Sequence, residues 1–234
     1  MGKFEGKTVM ITGASGALGS VAARRFAAEG ARLVLVDRIE EHLDKLIEEL
    51  GAQHMKAMAD LGQADDVGRL IEQLEADGVR IDVLIHTVGG YAGGTPVHEA
   101  SIEEFEKQFY INTRAIFVTC GRVARHMIQQ GIKGKIVVTL SKAAEKGVKN
   151  SAASSASKAA AKSLVESMAQ ELQQYSININ GVSPSTLDTE ANRRAMPNAD
   201  FSTWVNPDDI VDAFMFLASE EAQRIRGVNL TVYG

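Results

Sequence analysis

Lys7-Thr8-Val9-Met10-Ile11-Thr12-Gly13-Ala14-Ser15-Gly16-Ala17-Leu18-Gly19 is a short apolar, β-branched run that passes without a linker into a glycine turn and then into a helical pattern. A strand that ends on such a turn and opens a helix begins a βαβ unit. The same alternation continues outward to both ends of the chain. Residues 7–12, 32–36, 53–58, 81–87, 135–140, 176–182 and 228–232 read as seven strands, and about 17–29, 40–50, 64–76, 101–130, 152–174 and 207–218 as helices. Strands separated by helices of this length run parallel, through right-handed crossovers. The expectation is an α/β fold: one doubly wound (Rossmann) domain over residues 1–234, a parallel sheet of about seven strands with helices on both faces.

Composition narrows the function. The 234 residues are 45% apolar and 24% charged, which excludes disordered and collagen-like chains. No run approaches 18 apolar residues, and Met1-Gly2-Lys3-Phe4-Glu5-Gly6 lacks the apolar centre of a secretion signal, so no membrane partner is expected. A net charge of -5 without a basic stripe argues against nucleic acid. Cys120 is the single cysteine, and the five histidines show no metal-ligand spacing. A reducing, cytoplasmic setting and no metal are expected.

In doubly wound sheets ligands bind beyond the carboxyl ends of the strands. Bare positions at Gly13, Gly16 and Gly19 let the main chain approach a pyrophosphate, and free N–H groups at the helix start, around Ser15 and Leu18, attract its charge. The spacing is Gly-x-x-Gly-x-x-Gly, and a glycine-tolerant turn remains an equal reading of those residues alone. Asp37, 24 residues beyond Gly13 at the end of the second strand, adds to it: a carboxylate there accepts hydrogen bonds from both adenosine ribose hydroxyls and repels a 2′-phosphate. NAD is therefore favoured over NADP, with Arg38 partly offsetting the repulsion. Asp60, followed by Leu61, meets the adenine edge or caps the next helix.

With these residues in order, the sequence resembles the short-chain dehydrogenase/reductases from Phe4 to Gly234. The resemblance rests on the glycine turn, Asp37, Asp60, the Asp82-Val83-Leu84-Ile85 strand leading to Gly89, Asn112, Ser141, Lys158, and Pro184 with Thr189. It implies an oxidoreductase that moves a hydride between a nicotinamide and a carbonyl or alcohol. Lys158 would hold the nicotinamide ribose, Ser141 the substrate oxygen, Asn112 a water beside the lysine, and Thr189 the carboxamide. Each also has a plain structural reading, as a solvated lysine, a loop serine, a core amide and a turn residue. The family places a tyrosine thirteen residues after the serine and four before the lysine; this chain has Ser154 there. A phenol one helical turn before an ammonium is a suitable proton donor, and a serine hydroxyl is too weak an acid and too short. Losing a positioned general acid removes about 10²- to 10⁴-fold in rate, on the order of 3 to 5.5 kcal/mol.

His86-Thr87-Val88-Gly89 also departs from the family's Asn-Asn-Ala-Gly. His86 reads as a strand-end residue, and Tyr91 and Lys142 stand as speculative substitute acids. Two stretches, 88–100 and 183–206, read as irregular. The second carries Met196, Phe201 and Trp204 and is expected either to cover a substrate or to pack on the core. Its Thr186-Leu187-Asp188-Thr189 and Ala199-Asp200-Phe201-Ser202-Thr203-Trp204 segments resemble the substrate loop of dihydropteridine reductase-like members, weakly suggesting a pterin. The residues thus leave three readings open: an NAD(H) oxidoreductase with weakened proton transfer, a dinucleotide-binding pseudoenzyme, or an active reductase into which Ser154 has been introduced. Family analogy implies a homodimer or homotetramer.

Overall fold

The computed structural model describes residues 2–234. Its seven strands are β1 (Thr8–Thr12), β2 (Arg32–Asp37), β3 (Met55–Met58), β4 (Val83–His86), β5 (Lys135–Thr139), β6 (Asn178–Pro184) and β7 (Asn229–Val232). They form one parallel sheet in the order β3-β2-β1-β4-β5-β6-β7. The chain winds outward from β1 to β3, then crosses to the other side of β1, so the switch in direction falls between β1 and β4. There Thr12 lies opposite His86.

Residue alternation divides the core into two layers, because successive side chains of a strand face opposite ways. Met10, Leu84 and Ile136 face helices α3 (Ala64–Ala76), α5 (Ala115–Gln129) and α6 (Ala152–Leu172). Val9, Ile85 and Val137 face α1 (Ala17–Ala28), α2 (Glu40–Leu50) and α8 (Pro207–Ala218), where Phe26 and Phe214 are fully buried. With both faces covered, the central strands are apolar throughout rather than alternating.

β6 is buried along its whole length yet contains two asparagines. Asn178 Nδ2 donates to the carbonyls of Ala222, Gln223 and Ile225, and Asn180 uses both ends of its amide on Ile225 O and Val228 N–H. These bonds fasten the segment after α8 to the sheet and satisfy both amide nitrogens and Asn180 Oδ1, leaving Asn178 Oδ1 without a partner among the described residues.

The helix expected over 101–130 is two, α4 (Ile102–Phe109) and α5, joined by a π turn at Tyr110–Arg114. The stretch 183–206 is not irregular throughout. β6 runs on to Pro184, α7 (Glu190–Ala195) follows, and a 3₁₀ turn spans Phe201–Thr203.

Candidate active site

Gly13 sits at φ +69°, and a Cβ there would lie 2.8 Å from Thr87 Oγ1 and 3.0 Å from Val88 Cγ2. A Cβ on Gly19 would lie 2.0 Å from Gly13 O. Packing within the turn therefore requires both glycines, whatever the turn binds. Gly16 is the N-cap of α1, where a Cβ would meet only Gly13 O at 3.2 Å.

The turn's N–H groups divide cleanly. Ala14 donates to Val36 O (3.1 Å), Ser15 to Asp37 Oδ2 (3.0 Å) and Gly16 to Gly13 O (3.0 Å). The next three, on Ala17, Leu18 and Gly19, open α1, which has no side-chain cap and no acidic residue in its first turn. α4, α7 and α8, by contrast, are each capped by a side chain and carry acids there. The uncapped positive end of α1 beside a positive-φ glycine fits the phosphates of a dinucleotide.

Asp37 ends β2 beside that turn. Its Oδ2 also accepts the Ser15 hydroxyl at 2.6 Å, and Oδ1 accepts the Arg38 N–H at 2.7 Å. These bonds aim the carboxylate. Asp60 is not the cap of α3, a place held by Gln63. It shapes a local turn by accepting the Gly62 N–H (3.0 Å), and its carboxylate lies near enough to Tyr110 to help raise that phenol's pKa, after burial. Leu18 and Leu61 turn their side chains into the two cores, leaving only main chain to meet a ligand.

On α6, Ser154 and Lys158 share a face one turn apart. Ser154 is 1% exposed, and its hydroxyl has no hydrogen-bond partner among the described residues. Burial holds the Lys158 ammonium down at about 8, and among the described residues it has neither an ion pair nor a hydrogen bond. It is a cation without a protein partner. Ser141 ends the loop after β5, with its Oγ accepting the Ala143 N–H at 3.2 Å, and α6 packs against the 3₁₀ turn that follows.

Asn112 lies in the π turn, 3% exposed, with its amide fully used. Oδ1 accepts the Gly90 N–H at 2.8 Å, and Nδ2 donates to Ser157 Oγ (3.0 Å) and Gln108 Oε1 (3.3 Å). The side chain therefore ties the loop after β4 to α6 and has no proton left to give a water. A Cβ on Gly89 would come within 3.2 Å of Asn112 Oδ1. Pro184 closes β6, and Thr189 caps α7 by accepting the Asn192 N–H at 3.2 Å.

His86 is fully buried, its Nδ1 3.0 Å from Thr12 Oγ1, and burial depresses it to about 4. It is neutral at pH 7 and no acid. Lys142 turns away to Tyr233, its Nζ 4.6 Å from the ring centre. Tyr91 is 65% exposed, yet its hydroxyl is 2.7 Å from Ser151 Oγ, three residues before Ser154 on α6. Ser151, Ser157 and Gly90 were not legible as site residues. Only Ser151 carries a signal, since Ser151, Ser154 and Lys158 recur at helical intervals.

The 183–206 segment is pinned by its own contacts. Leu187 bridges to Val205, Arg193 forms a two-pronged pair with Asp188 (2.6 and 2.7 Å), and the same guanidinium stacks 4.7 Å from the Phe201 ring, which packs on Trp204. Met196 remains 41% exposed.

Sheet order, the switch between β1 and β4 and the uncapped helix beyond it define a Rossmann-type α/β protein. The short chain dehydrogenase family model matches residues 7–200. The chain belongs to the short-chain dehydrogenase/reductase family, which binds a nicotinamide dinucleotide and includes many oxidoreductases. It is 33% identical over 247 residues to glucose 1-dehydrogenase of Gluconobacter oxydans (strain 621H), covering 99% of this chain and 92% of that one. Among solved structures it is similar to NAD+-bound xylitol dehydrogenase (28% identical, 99% of both chains, TM-score 0.89). It is equally similar to a gluconate 5-dehydrogenase from Burkholderia cenocepacia J2315 in complex with NADP and tartrate (28% identical, 98% of this chain and 95% of that one, TM-score 0.89).

Proposed function

We propose that this protein binds NAD(H) and transfers hydride between it and a small carbonyl or alcohol, with proton delivery weakened at Ser154. The observation that carries the reading is the pairing on α6: a half-buried ammonium with no hydrogen-bond or ion-pair partner among the described residues one turn after an enclosed hydroxyl with none. When bound, the nicotinamide supplies or accepts the hydride. The residues around it do the rest. Gly13, Gly16 and Gly19 with the first N–H groups of α1, including Leu18, hold the phosphates. Asp37, steadied by Ser15, accepts the ribose hydroxyls and disfavours a 2′-phosphate, which supports NAD over NADP. The main chain at Asp60, Leu61 and Gly89 borders the adenosine half, Lys158 holds the nicotinamide ribose, and Pro184 and Thr189 lie beside the ring. Ser141 hydrogen-bonds the substrate oxygen, and the 183–206 segment covers the substrate. Asn112 is a positioning residue. A cytoplasmic location, with no nucleic-acid or membrane partner, belongs to the same proposal; among the described residues no helix is long and apolar enough to cross a membrane.

The test is titration with NADH followed by a carbonyl panel, using the protein and its Ser154→Tyr variant. Both should bind NADH more tightly than NADPH, and the variant should turn over about 10²- to 10⁴-fold faster. Absence of NADH binding would sink the reading. Binding without turnover in either protein would point to a pseudoenzyme, provided the variant keeps the wild-type melting temperature.

One observation favours a second reading, in which the Tyr91 phenol, held against Ser151 at the start of the same helix, supplies the proton. In that case Tyr91→Phe lowers kcat with little change in NADH affinity. On the first reading it changes neither.

A further inference from the structure

A cavity of about 480 Å³ opens at the amino ends of β1, β4, β5 and β6. It is about 16 Å from the glycine turn, the length of a five-residue strand. In a chain of net charge -5 it is lined by six cations, Lys7, Arg80, Lys133, Lys135, Arg224 and Arg226. The acids facing it are Asp82 and Glu220. Asp82 is already engaged, accepting the Thr8 N–H at 2.9 Å. None of these charged groups forms an ion pair among the described residues.

Two of the cations have donors that no acceptor among the described residues engages. Lys135 opens β5 and is 6% exposed, with no hydrogen-bond or ion-pair partner among the described residues. Burial first, and then Arg226 and Lys7, push its pKa down against the pull of Glu220. The Nε of Arg226 is enclosed and has no acceptor. A buried donor without an acceptor costs stability, as does a buried charge beside like charges, unless an anion completes the site.

We propose that this cavity is a second binding site, for a small molecule carrying at least two phosphate groups. Guanidinium forks match phosphate oxygens two at a time, the ammonium groups add point charge, and the excess of cations suits a ligand of several negative charges. The volume lies within the range of small-molecule sites and exceeds what a bare pyrophosphate fills, leaving space for an organic portion. The proposal does not depend on what binds at the glycine turn.

The probe is inorganic pyrophosphate, titrated calorimetrically into the full chain at constant ionic strength and repeated with NADH present. Wild type should bind it with or without NADH. Lys135→Met, which keeps the buried stem, and Arg226→Gln should each weaken binding by about ten- to a hundredfold. Pyrophosphate should also raise the melting temperature of wild type. Lys135→Met alone should raise it as well, and pyrophosphate should then add little. No heat at millimolar pyrophosphate, binding unchanged in both variants, or binding abolished by NADH would each overturn the proposal.

Discussion

At Lys158 a half-buried ammonium has no hydrogen-bond or ion-pair partner among the described residues, and burial brings its pKa from 10.5 down to about 8. Below pH 8 folded and unfolded chains both hold the proton, so the folded state bears the whole cost of burying the charge. Between pH 8 and 10.5 the unfolded chain binds more protons, and stability rises with pH. The shift corresponds to about 3 kcal/mol at most. Lys158→Met should therefore be more stable than wild type at pH 7, by up to about 3 kcal/mol, with the gap closing toward pH 10.5. Urea unfolding at pH 7 and pH 10 measures it, and a gap independent of pH would count against the burial argument. A ligand oxygen accepting from this ammonium would push its pKa back up, which is what a ribose-binding role requires.

Asn112 acts between elements. From the π turn between α4 and α5 it holds Gly90 in the loop after β4 and Ser157 on α6, and Ser157 Oγ in turn donates to Ser154 O at 2.9 Å. Asn112→Ala would remove the acceptor of the part-buried Gly90 N–H and the donor to the buried Gln108 and Ser157 oxygens. The expected loss is about 3 kcal/mol, seen as a lower urea midpoint with an unchanged m-value. Asn112→Asp should recover part of it by keeping the bond from Gly90. If the alanine variant cost under about 0.5 kcal/mol, the amide would not be the tie between these elements. The 183–206 segment makes a different point at this scale. Its rings and the Arg193–Asp188 pair satisfy one another, so it is an organised flap whose one large exposed apolar side chain is Met196.

For the whole molecule, the two ends of the sheet differ in kind: main-chain donors and Asp37 at the carboxyl end, a ring of cations at the amino end. The flanks differ too. Ile102, Phe105 and Phe117 on α4 and α5 are 62%, 42% and 64% exposed, and Leu230 and Tyr233 near the C-terminus are 37% and 42% exposed. Contiguous exposed apolar side chains mark association surfaces. We expect a homodimer or homotetramer by light scattering, and Phe117→Glu with Phe105→Glu should shift it toward smaller species. A monomer at micromolar concentration would refute this.

Hydrophobic period and turn chemistry determined the number of strands, their parallel direction and the bounds of α2, α3 and α8, because those signals are local and each helix buries one face. They also placed the glycine turn and Asp37, since a loop following a strand lies at the strand's carboxyl end whatever the rest of the chain does. Only tertiary structure decided which hydroxyls and amides are already spoken for. Thr189 is committed to Asn192 and Asp60 to Gly62, both within three positions, whereas Asn112 is held by Gly90 and Ser157, 22 and 45 positions away, where no local pattern shows it; the Ser154 hydroxyl and the Lys158 ammonium have no hydrogen-bond partner among the described residues. The cation-lined cavity was hidden for the same reason: its charges lie between residues 7 and 226 and converge only when the amino ends of four strands are brought side by side.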